Sequence, residues 1–389
     1  MKKKIIESKE GTFYIKGRGM PKGCELCLKG AKVVLFLNGI CQIPGHCSWY
    51  CPISEERKGK DSTYANEIKI SNKEELLEEI NKIDAKGMSI TGGEPLYNSN
   101  LDKTLDYIKY VKMKKGKSFH VHLYTNGINF DDKIAKKLSK AGLDEIRFNP
   151  PKNKWSNIQY ALNKGISVGA EVPVIPESHS IKELEDFIVY LDNIGAEFIN
   201  LNEFEYCFPN SQHLKDKGFK LKEGTIASVE NSFMTAIDMI KKIRSRVLVK
   251  IHFCSIIAKD YHQLKNRYYR RAKAIKLPYE KVTKEGLLIY AEIEGRSENI
   301  IILQDILVKK YNLPPDHMPI KNNKLLLPIN ITLNEKFISL LDRFNMDCRI
   351  VEIIPFRDES YFQITESTPI KVFMKELDDN RKFIIEDLE

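Results

Sequence analysis

Three cysteines lie close together on one segment, which reads Cys41-Gln-Ile-Pro-Gly-His-Cys47-Ser-Trp-Tyr-Cys51. Five of the eight cysteines fall between residues 24 and 51, and eight are few for a disulfide framework in a chain of this length. Three thiolates on one loop can bind three corners of a cubane iron–sulfur cluster and leave the fourth iron open to a small molecule. The alternative is a structural zinc site completed by His46, or a set of ordinary thiols.

A second motif, Thr91-Gly92-Gly93-Glu94-Pro95, follows the next strand-like run. Its glycines permit close approach of the backbone to a ligand, and Glu94 offers an acceptor to an ammonium group. Alone, such a string is typical of an ordinary strand-to-helix turn. Its position one strand after a three-cysteine loop favours a functional role.

The elements that must position these motifs follow from the hydrophobic pattern. Amphipathic segments with helical spacing lie at 73–83, 131–141 and 181–194, between strand-like apolar runs. The strand-like runs are 32–37, 87–91, 119–124, 145–149, 167–175, 198–204 and 247–253. This alternation predicts an α/β fold with a parallel sheet. A partial (β/α) barrel is the favoured architecture, and an open doubly wound sheet is the alternative. Such folds carry their chemistry on loops at the carboxyl ends of the strands, where both motifs then fall.

The pattern changes after about residue 256, which suggests four regions. Residues 1–31 are predicted to form a short N-terminal metal-binding appendage, and 32–256 the barrel core. A basic helix or linker at 257–282 leads to a small α+β domain at 283–389. Strand candidates in that domain are 287–293, 299–306 and 348–354, with a helical run near 334–344.

The composition limits the class of protein. Apolar residues make up 42% and charged residues 30% of 389 residues, which excludes disorder as the main state. No window approaches the run of about 20 apolar residues that spans a bilayer, so we expect a cytoplasmic protein without membrane contact. The net charge of +9 is compatible with an anionic partner but does not identify one.

The cysteine loop followed by GGEP resembles the radical S-adenosylmethionine (SAM) superfamily, in its branch related to pyruvate formate-lyase activating enzymes. The resemblance covers about residues 32–255. It implies a [4Fe-4S] cluster on Cys41, Cys47 and Cys51. It also implies that Gly92, Gly93 and Glu94, with Pro95, receive the amino group of SAM. This loop, with gaps of five and then three residues, is longer in both gaps than the usual loop of the family.

Further cofactor contacts are implied by the resemblance. Tyr50, just before the third cysteine, matches the aromatic residue that the family places against adenine, with Trp49 as a competitor. Other predicted cofactor contacts, each of which has a buried, satisfied polar group as its alternative, are Thr125, Asn126, Arg147, Asn149 and Glu171.

The resemblance also implies a reaction. A flavodoxin- or ferredoxin-like electron donor reduces the cluster, SAM is cleaved to methionine and a 5′-deoxyadenosyl radical, and the radical abstracts hydrogen from a substrate. One substrate hypothesis is tRNA, because basic residues of segment 259–276 alternate with tyrosines. A solvated helix face is the alternative reading of those residues, which are Lys265, Arg267, Arg270 and Arg271.

Two other functions stay open. The family branch suggests a glycyl-radical-enzyme activase or a peptide-modifying enzyme, which would need a protein or peptide partner. A zinc-stabilised nucleic-acid-binding protein without radical chemistry is the alternative outside enzymology.

A second metal site is suggested by two short cysteine motifs. Cys24 and Cys27 form a CxxC pair before the first core strand, and His252 and Cys254 lie on one face of the last. If these segments meet, the four side chains form a Cys₃His set suited to zinc or an auxiliary iron–sulfur cluster.

Overall fold

The computed structural model describes residues 4–42, 45–357 and 363–379. The chain divides into two compact units, Met1–Leu264 and Lys265–Glu389. The division falls inside the segment 257–282 that the sequence suggests as a linker. No helix in the described part of the chain combines the length and the apolarity that crossing a bilayer requires.

The described residues of the first unit contain an eleven-stranded mixed sheet. Its strands are β1 (Ile5–Glu7), β2 (Thr12–Ile15), β3 (Lys32–Phe36), β4 (Thr63–Ala65), β5 (Ile68–Ile70), β6 (Gly87–Thr91), β7 (His120–Thr125), β8 (Glu145–Phe148), β9 (Ser167–Val174), β10 (Phe198–Glu203) and β11 (Lys250–Cys254). Their order in the sheet is β1-β2-β11-β10-β9-β8-β7-β6-β3-β4-β5.

Seven strands of the sheet are parallel and neighbour one another in chain order, namely β3, β6, β7, β8, β9, β10 and β11. A doubly wound sheet reverses its strand order at a switch point, whereas this order runs on in one direction. The predicted partial barrel is therefore confirmed. The helices of the first unit are α1 (Lys22–Leu28), α2 (Lys73–Lys82), α3 (Asn100–Lys115), α4 (Asp132–Ala141), α5 (Ser178–Asn193), α6 (Ser211–Asp216) and α7 (Ser232–Ile243).

Local sequence signals explain where these helices begin and end. The side chain of Asp131 accepts a hydrogen bond from the amide of Ile134 at 2.7 Å and caps α4. Gly142 ends the same helix with a left-handed backbone, φ +96°. Asn72 caps α2 in the same way through the amide of Glu75. Such caps satisfy backbone donors that a helix leaves unpaired.

The N-terminal segment, predicted as a short metal-binding appendage, joins the barrel sheet. Strand β2 pairs antiparallel with β11, so β1 and β2 extend the barrel sheet at its edge. Helix α1 then lies at the amino ends of the parallel strands. The amide of Gly23 donates to Glu145 at 3.1 Å, and the ammonium of Lys32 reaches the Gly23 carbonyl at 3.4 Å. Glu145 and Lys32 are the first residues of β8 and β3.

The two faces of the parallel strands differ in polarity. One face packs into the hydrophobic core with side chains such as Ile146, Phe148 and Ile251. The alternate positions of the same strands carry buried polar side chains, because successive residues of a strand point to opposite faces. These buried polar residues include His122, Glu145, Arg147, Asn200 and His252.

The described residues of the second unit form a six-stranded antiparallel sheet in the order β14-β15-β13-β16-β17, with β12 paired to β13. Its strands are β12 (Lys281–Val282), β13 (Leu288–Glu294), β14 (Ile320–Lys321), β15 (Lys324–Leu327), β16 (Asp347–Ile353) and β17 (Ile364–Pro369). Its helices are α8 (Leu264–Ile275), α9 (Ser297–Tyr311), α10 (Ile329–Thr332), α11 (Glu335–Phe344) and α12 (Ile370–Asp379).

One predicted strand of this unit is wrong. Residues 299–306, rich in isoleucine, lie within helix α9. Ile300, Leu303 and Leu307 are buried at helical spacing, while Ile301 and Ile302 are exposed. Tertiary packing of one helical stripe thus overrides the strand preference of a β-branched run.

Candidate functional site

The cysteine loop follows β3, and its three thiols are partly buried and free. Burial raises the pKa of Cys41 to about 11, with Glu94 and Cys51 raising it further. Burial likewise raises the pKa of Cys47 to about 12, and Cys51 and Cys41 add to the effect. The three thiols therefore lie within electrostatic reach of one another.

The donor set of three thiols on one loop fits an iron–sulfur cubane. Among the residues that the structure describes, no three Cys, His, Asp or Glu side chains converge closely enough to hold one metal ion. A cubane takes each thiolate on a different iron, so its ligands stay apart while remaining neighbours. Three neighbouring thiols on one loop suit that arrangement.

The GGEP motif, after β6, is fixed against the start of the cysteine loop. The amide of Gly93 donates to the Asn38 carbonyl at 2.8 Å, and the amide of Glu94 donates to the Ile40 carbonyl at 2.9 Å. A Cβ on Gly93 would clash with the Ile40 carbonyl, and one on Gly92, at φ +136°, with that of Asn38. Glycine is thus required at both positions because the backbone leading to Cys41 packs against them. The sequence instead predicted that these glycines allow a ligand to approach.

The carboxylate of Glu94 is 2% exposed and joins the ends of two strands. Its Oε1 accepts from the amide of Leu96 at 3.0 Å and the hydroxyl of Thr125 at 2.7 Å. Its Oε2 accepts from the amide of Asn126 at 2.7 Å, which leaves acceptor capacity on that oxygen. Burial raises the pKa of Glu94 to about 7 despite these bonds. A nearby ammonium group would stabilise the ionised form.

Thr125 and Asn126, at the end of β7, are thus brought to Glu94 as a group. Asn126 also donates from Nδ2 to Oε1 of Gln42 at 3.0 Å, so the residue after Cys41 belongs to the same cluster of contacts. Gln42 was not predicted from the sequence, although its position directly after Cys41 could have pointed to it. Pro95 lies on the far side of this group, where its carbonyl accepts from Thr104 of α3 at 2.8 Å.

Tyr50 and Asn149 meet at the carboxyl end of β8. Asn149 Nδ2 donates to the Tyr50 hydroxyl at 3.2 Å, and burial raises the pKa of that hydroxyl. The two residues line a cleft of about 270 Å³. The other lining residues are His46, Trp49, Pro150, Pro151, Trp155, Val172, Pro173, Ile175, Ser180, Glu183, Leu184 and Phe187.

A connection between β10 and α7 holds the cysteine loop from the other side. Asn210, 1% exposed, donates from Nδ2 to the Tyr50 carbonyl at 3.1 Å and accepts the amide of Cys207 at 2.9 Å. The ring of Trp49 stacks on Phe219 with centroids 6.0 Å apart. No spacing or periodicity in the sequence marks Asn210, so sequence reasoning missed it.

Arg147 and Glu171 are ion-paired with each other inside the barrel, and their predicted contacts with the cofactor stay predictions. Arg147 is buried inside the barrel, where it pairs with Glu145 and Glu171. Its Nη2 also donates to Cys24 Sγ at 3.4 Å. Glu171 accepts from Asn202 at 2.9 Å as well. Arg147 is the third residue of β8, and its charge is balanced by these two carboxylates.

The four residues of the predicted second metal site lie in the first unit, where the side chain of Gln263 contacts two of them. Cys27 and Cys254 each share a hydrogen bond with that side chain. Cys24 contacts Arg147, and His252 bonds to Asn200.

The basic helix α8 is not a uniformly exposed charged face. Arg271 is 3% exposed; it donates to the Pro355 carbonyl and lies over the Phe356 ring at 4.3 Å. Lys265 pairs with Glu285 at 3.7 Å, and Arg267 and Arg270 are partly buried. The guanidinium of Arg271 is thus used inside the second unit, which gives no support to the predicted contact of this residue with nucleic acid.

Comparison with known proteins shows the family of this chain. The family model described as the radical SAM superfamily matches residues 44–188. A Methanocaldococcus jannaschii protein named "Putative glycyl-radical enzyme activating enzyme" is 38% identical over 282 residues, 69% of this chain and 72% of the relative. A "Probable GTP 3′,8-cyclase" of the same organism is 28% identical over 166 residues, 36% of this chain and 53% of the cyclase.

Among solved structures, SuiB of Streptococcus suis bound to its precursor peptide SuiA is similar with a TM-score of 0.42 and 10% identity, over 58% of this chain and 48% of SuiB. The extent of the match to the M. jannaschii relative, together with the family model, gives the assignment. The chain belongs to the radical SAM superfamily, in the branch related to glycyl-radical enzyme activating enzymes.

Proposed function

We propose that Cys41, Cys47 and Cys51 bind the [4Fe-4S] cluster of this radical SAM enzyme, and that the GGEP turn receives the amino group of SAM. The observation that carries this proposal is the hydrogen bond from the Glu94 amide to the Ile40 carbonyl. It fixes the turn one residue from the first cysteine. The free acceptor capacity of Glu94 Oε2 suits an ammonium donor.

When bound, the cluster supplies the electron for the cleavage of SAM that is general to this family. The residues of this chain bind and orient the reactants. Thr125 and Asn126 hold the Glu94 carboxylate, Asn149 holds the Tyr50 hydroxyl, and Asn210 holds the Tyr50 backbone. We infer that Tyr50 packs against the adenine ring of SAM at the mouth of the 270 Å³ cleft.

For the substrate we propose a protein or peptide, from which the radical abstracts hydrogen, with a flavodoxin- or ferredoxin-like electron donor. The name of the 38% identical relative supports this class. A tRNA substrate has less support, because Arg271, one of the basic residues on which it depends, is buried. The non-radical, zinc-stabilised binding protein is inconsistent with membership of the family.

The test is an anaerobic assay of the reconstituted enzyme with SAM and a chemical reductant. We expect iron, sulfide and 5′-deoxyadenosine from the native chain, and loss of all three when Cys41, Cys47 or Cys51 is replaced by alanine. Cys348→Ala, which removes a buried thiol of the second unit, is the control. Normal cluster content in all three loop variants would contradict the assigned ligands.

The substrate class is tested separately. Partner proteins are co-purified anaerobically with the native chain and prepared with deuterium at their glycine Cα positions. They are then added to the assay with SAM and reductant. Deuterium in 5′-deoxyadenosine supports a glycyl-radical enzyme as substrate. Transfer only from labelled tRNA would overturn the proposed substrate while leaving the cluster assignment intact.

A further inference from the structure

Two cysteines from opposite ends of the first unit are joined by one side chain. The thiol of Cys27, on α1, donates to Gln263 Oε1 at 2.7 Å. The amide of Gln263 donates from Nε2 to Cys254 Sγ at 3.3 Å. Cys254 also packs with Leu28, the residue after Cys27. The barrel fold therefore brings the CxxC helix to the end of β11.

A third thiol lies beside this pair. Cys24 is buried one helical turn before Cys27, and residues three apart share a face of a helix. The guanidinium of Arg147 donates to its sulfur at 3.4 Å. Because Arg147 is already ion-paired with Glu145 and Glu171, its contact with Cys24 is a hydrogen bond to the sulfur, of the kind that orients a metal ligand.

His252 has the hydrogen-bonding pattern of a metal-binding imidazole. Its side chain is 1% exposed, and Nδ1–H donates to the side-chain oxygen of Asn200. That bond leaves Nε2 with a lone pair, and Nε2 is buried without a hydrogen-bond partner. Metal-binding histidines are oriented in this way, with the second ring nitrogen held by an acceptor. His252 and Cys254 share one face of β11.

We propose that Cys24, Cys27, Cys254 and His252 form a second metal site that takes Zn²⁺. Three thiolates and one imidazole are a common tetrahedral zinc set. Gln263 lies between two of the thiols, and no three ligands of the described chain converge on one point. Zinc binding replaces the two hydrogen bonds of Gln263 by zinc–sulfur bonds and releases the thiol protons to solvent. The ion then ties α1 to β11.

The test uses the full-length chain carrying Cys41→Ala, Cys47→Ala and Cys51→Ala, so it does not depend on the proposed cluster. Zn²⁺ alone is added, excess metal is removed by gel filtration, and bound zinc is measured. We expect about one zinc per chain, with X-ray absorption showing sulfur at about 2.3 Å and nitrogen at about 2.0 Å. Adding Cys27→Ser or Cys254→Ser lowers the bound zinc to background, whereas Cys348→Ser leaves it unchanged.

Gln263→Ala keeps the proposal testable if the cysteine variants fail to fold. It keeps all four ligands and removes the competing amide, so it binds zinc at least as tightly as the parent chain. Two results would overturn the site. One is zinc at background in both the parent and the Gln263→Ala chain. The other is bound zinc that persists in the Cys24→Ser, Cys27→Ser double variant or shows only oxygen and nitrogen ligands.

Discussion

The amide of Glu94 donates to the carbonyl of Ile40 at 2.9 Å, next to Cys41. Together with the Gly93 to Asn38 bond, it makes the GGEP turn and the start of the cysteine loop one backbone unit. A change in either segment is therefore transmitted to the other.

Gly93→Ala tests this coupling. The added methyl group would clash with the Ile40 carbonyl, so we expect a loss of about 2–4 kcal/mol in stability and a reduced iron content. Thermal unfolding and iron analysis measure both effects. Gly45→Ala is the control for stability only, because its Cβ would meet the Gln42 carbonyl at 3.4 Å, which is ordinary contact, and Sγ of the proposed ligand Cys47 at 3.9 Å. Equal stability of the two variants would contradict the coupling.

Asn210→Ala tests the support behind Tyr50. It leaves the Tyr50 carbonyl and the Cys207 amide without this buried partner, at a cost of about 1–3 kcal/mol for each group left unsatisfied. We expect a lower melting temperature together with a weaker cluster signal. Asn299→Ala, which removes one hydrogen bond to Phe344 in the second unit, should leave the cluster signal unchanged. A stable Asn210→Ala protein with full cluster content would show that the contact is dispensable.

Substitutions of Tyr50 separate its ring from its hydroxyl group. If the ring packs on adenine, Tyr50→Leu weakens SAM binding by about tenfold, whereas Tyr50→Phe stays within about threefold. Equilibrium binding of SAM to the reconstituted enzyme measures this. Loss of affinity in Tyr50→Phe alone would instead assign the interaction to the hydroxyl and its bond to Asn149.

The pair of Glu145 and Arg147 predicts a pH dependence of folding. Burial opposes ionisation of Glu145, but Arg147, His120 and the Gly23 amide outweigh it and lower the pKa to about 2. A carboxyl whose pKa is lowered on folding contributes stability above its unfolded pKa of 4.5, and loses it as the pH falls through about 2. Glu145→Gln should therefore cost about 2–4 kcal/mol near neutral pH, and progressively less below pH 4.5.

Urea unfolding of the cluster-free full-length chain at several pH values measures this difference. The control is Glu78→Gln, whose carboxylate is exposed and pairs with Lys82 at 3.7 Å, so its effect stays within about 0.5 kcal/mol. A Glu145→Gln deficit that does not shrink in acid would mean that packing rather than charge explains it.

Much of the barrel could be predicted because its signals are local. Each parallel strand is a short apolar run between amphipathic helices, and the two motifs follow β3 and β6 directly. The pairing of β2 with β11 could not be predicted, because it joins segments far apart in the chain. Helix α9 was misread because an isoleucine run has no local mark that separates a buried strand from a helix.

The site shows the same division. Proximity of Glu94, Thr125 and Asn126 follows from parallel strands ending at one edge of the sheet. The pairing of Arg147 with Glu145 and Glu171 could not be predicted, because the side to which a strand residue points depends on register, and register is set by packing. Asn210 and Gln263 contact residues that are far away in the sequence, so the residues next to them in the sequence do not indicate their role.

Helix α1 has a consequence for how a large substrate reaches the radical. It covers the amino ends of β3 and β8, and Gly23 is so close to His122 and Arg147 that any larger side chain would collide with them. Helix α1 therefore closes the end of the barrel at which the parallel strands begin. The polypeptide substrate that we propose would then approach from the opposite end of the barrel, across the loops that carry the cysteines and the GGEP turn.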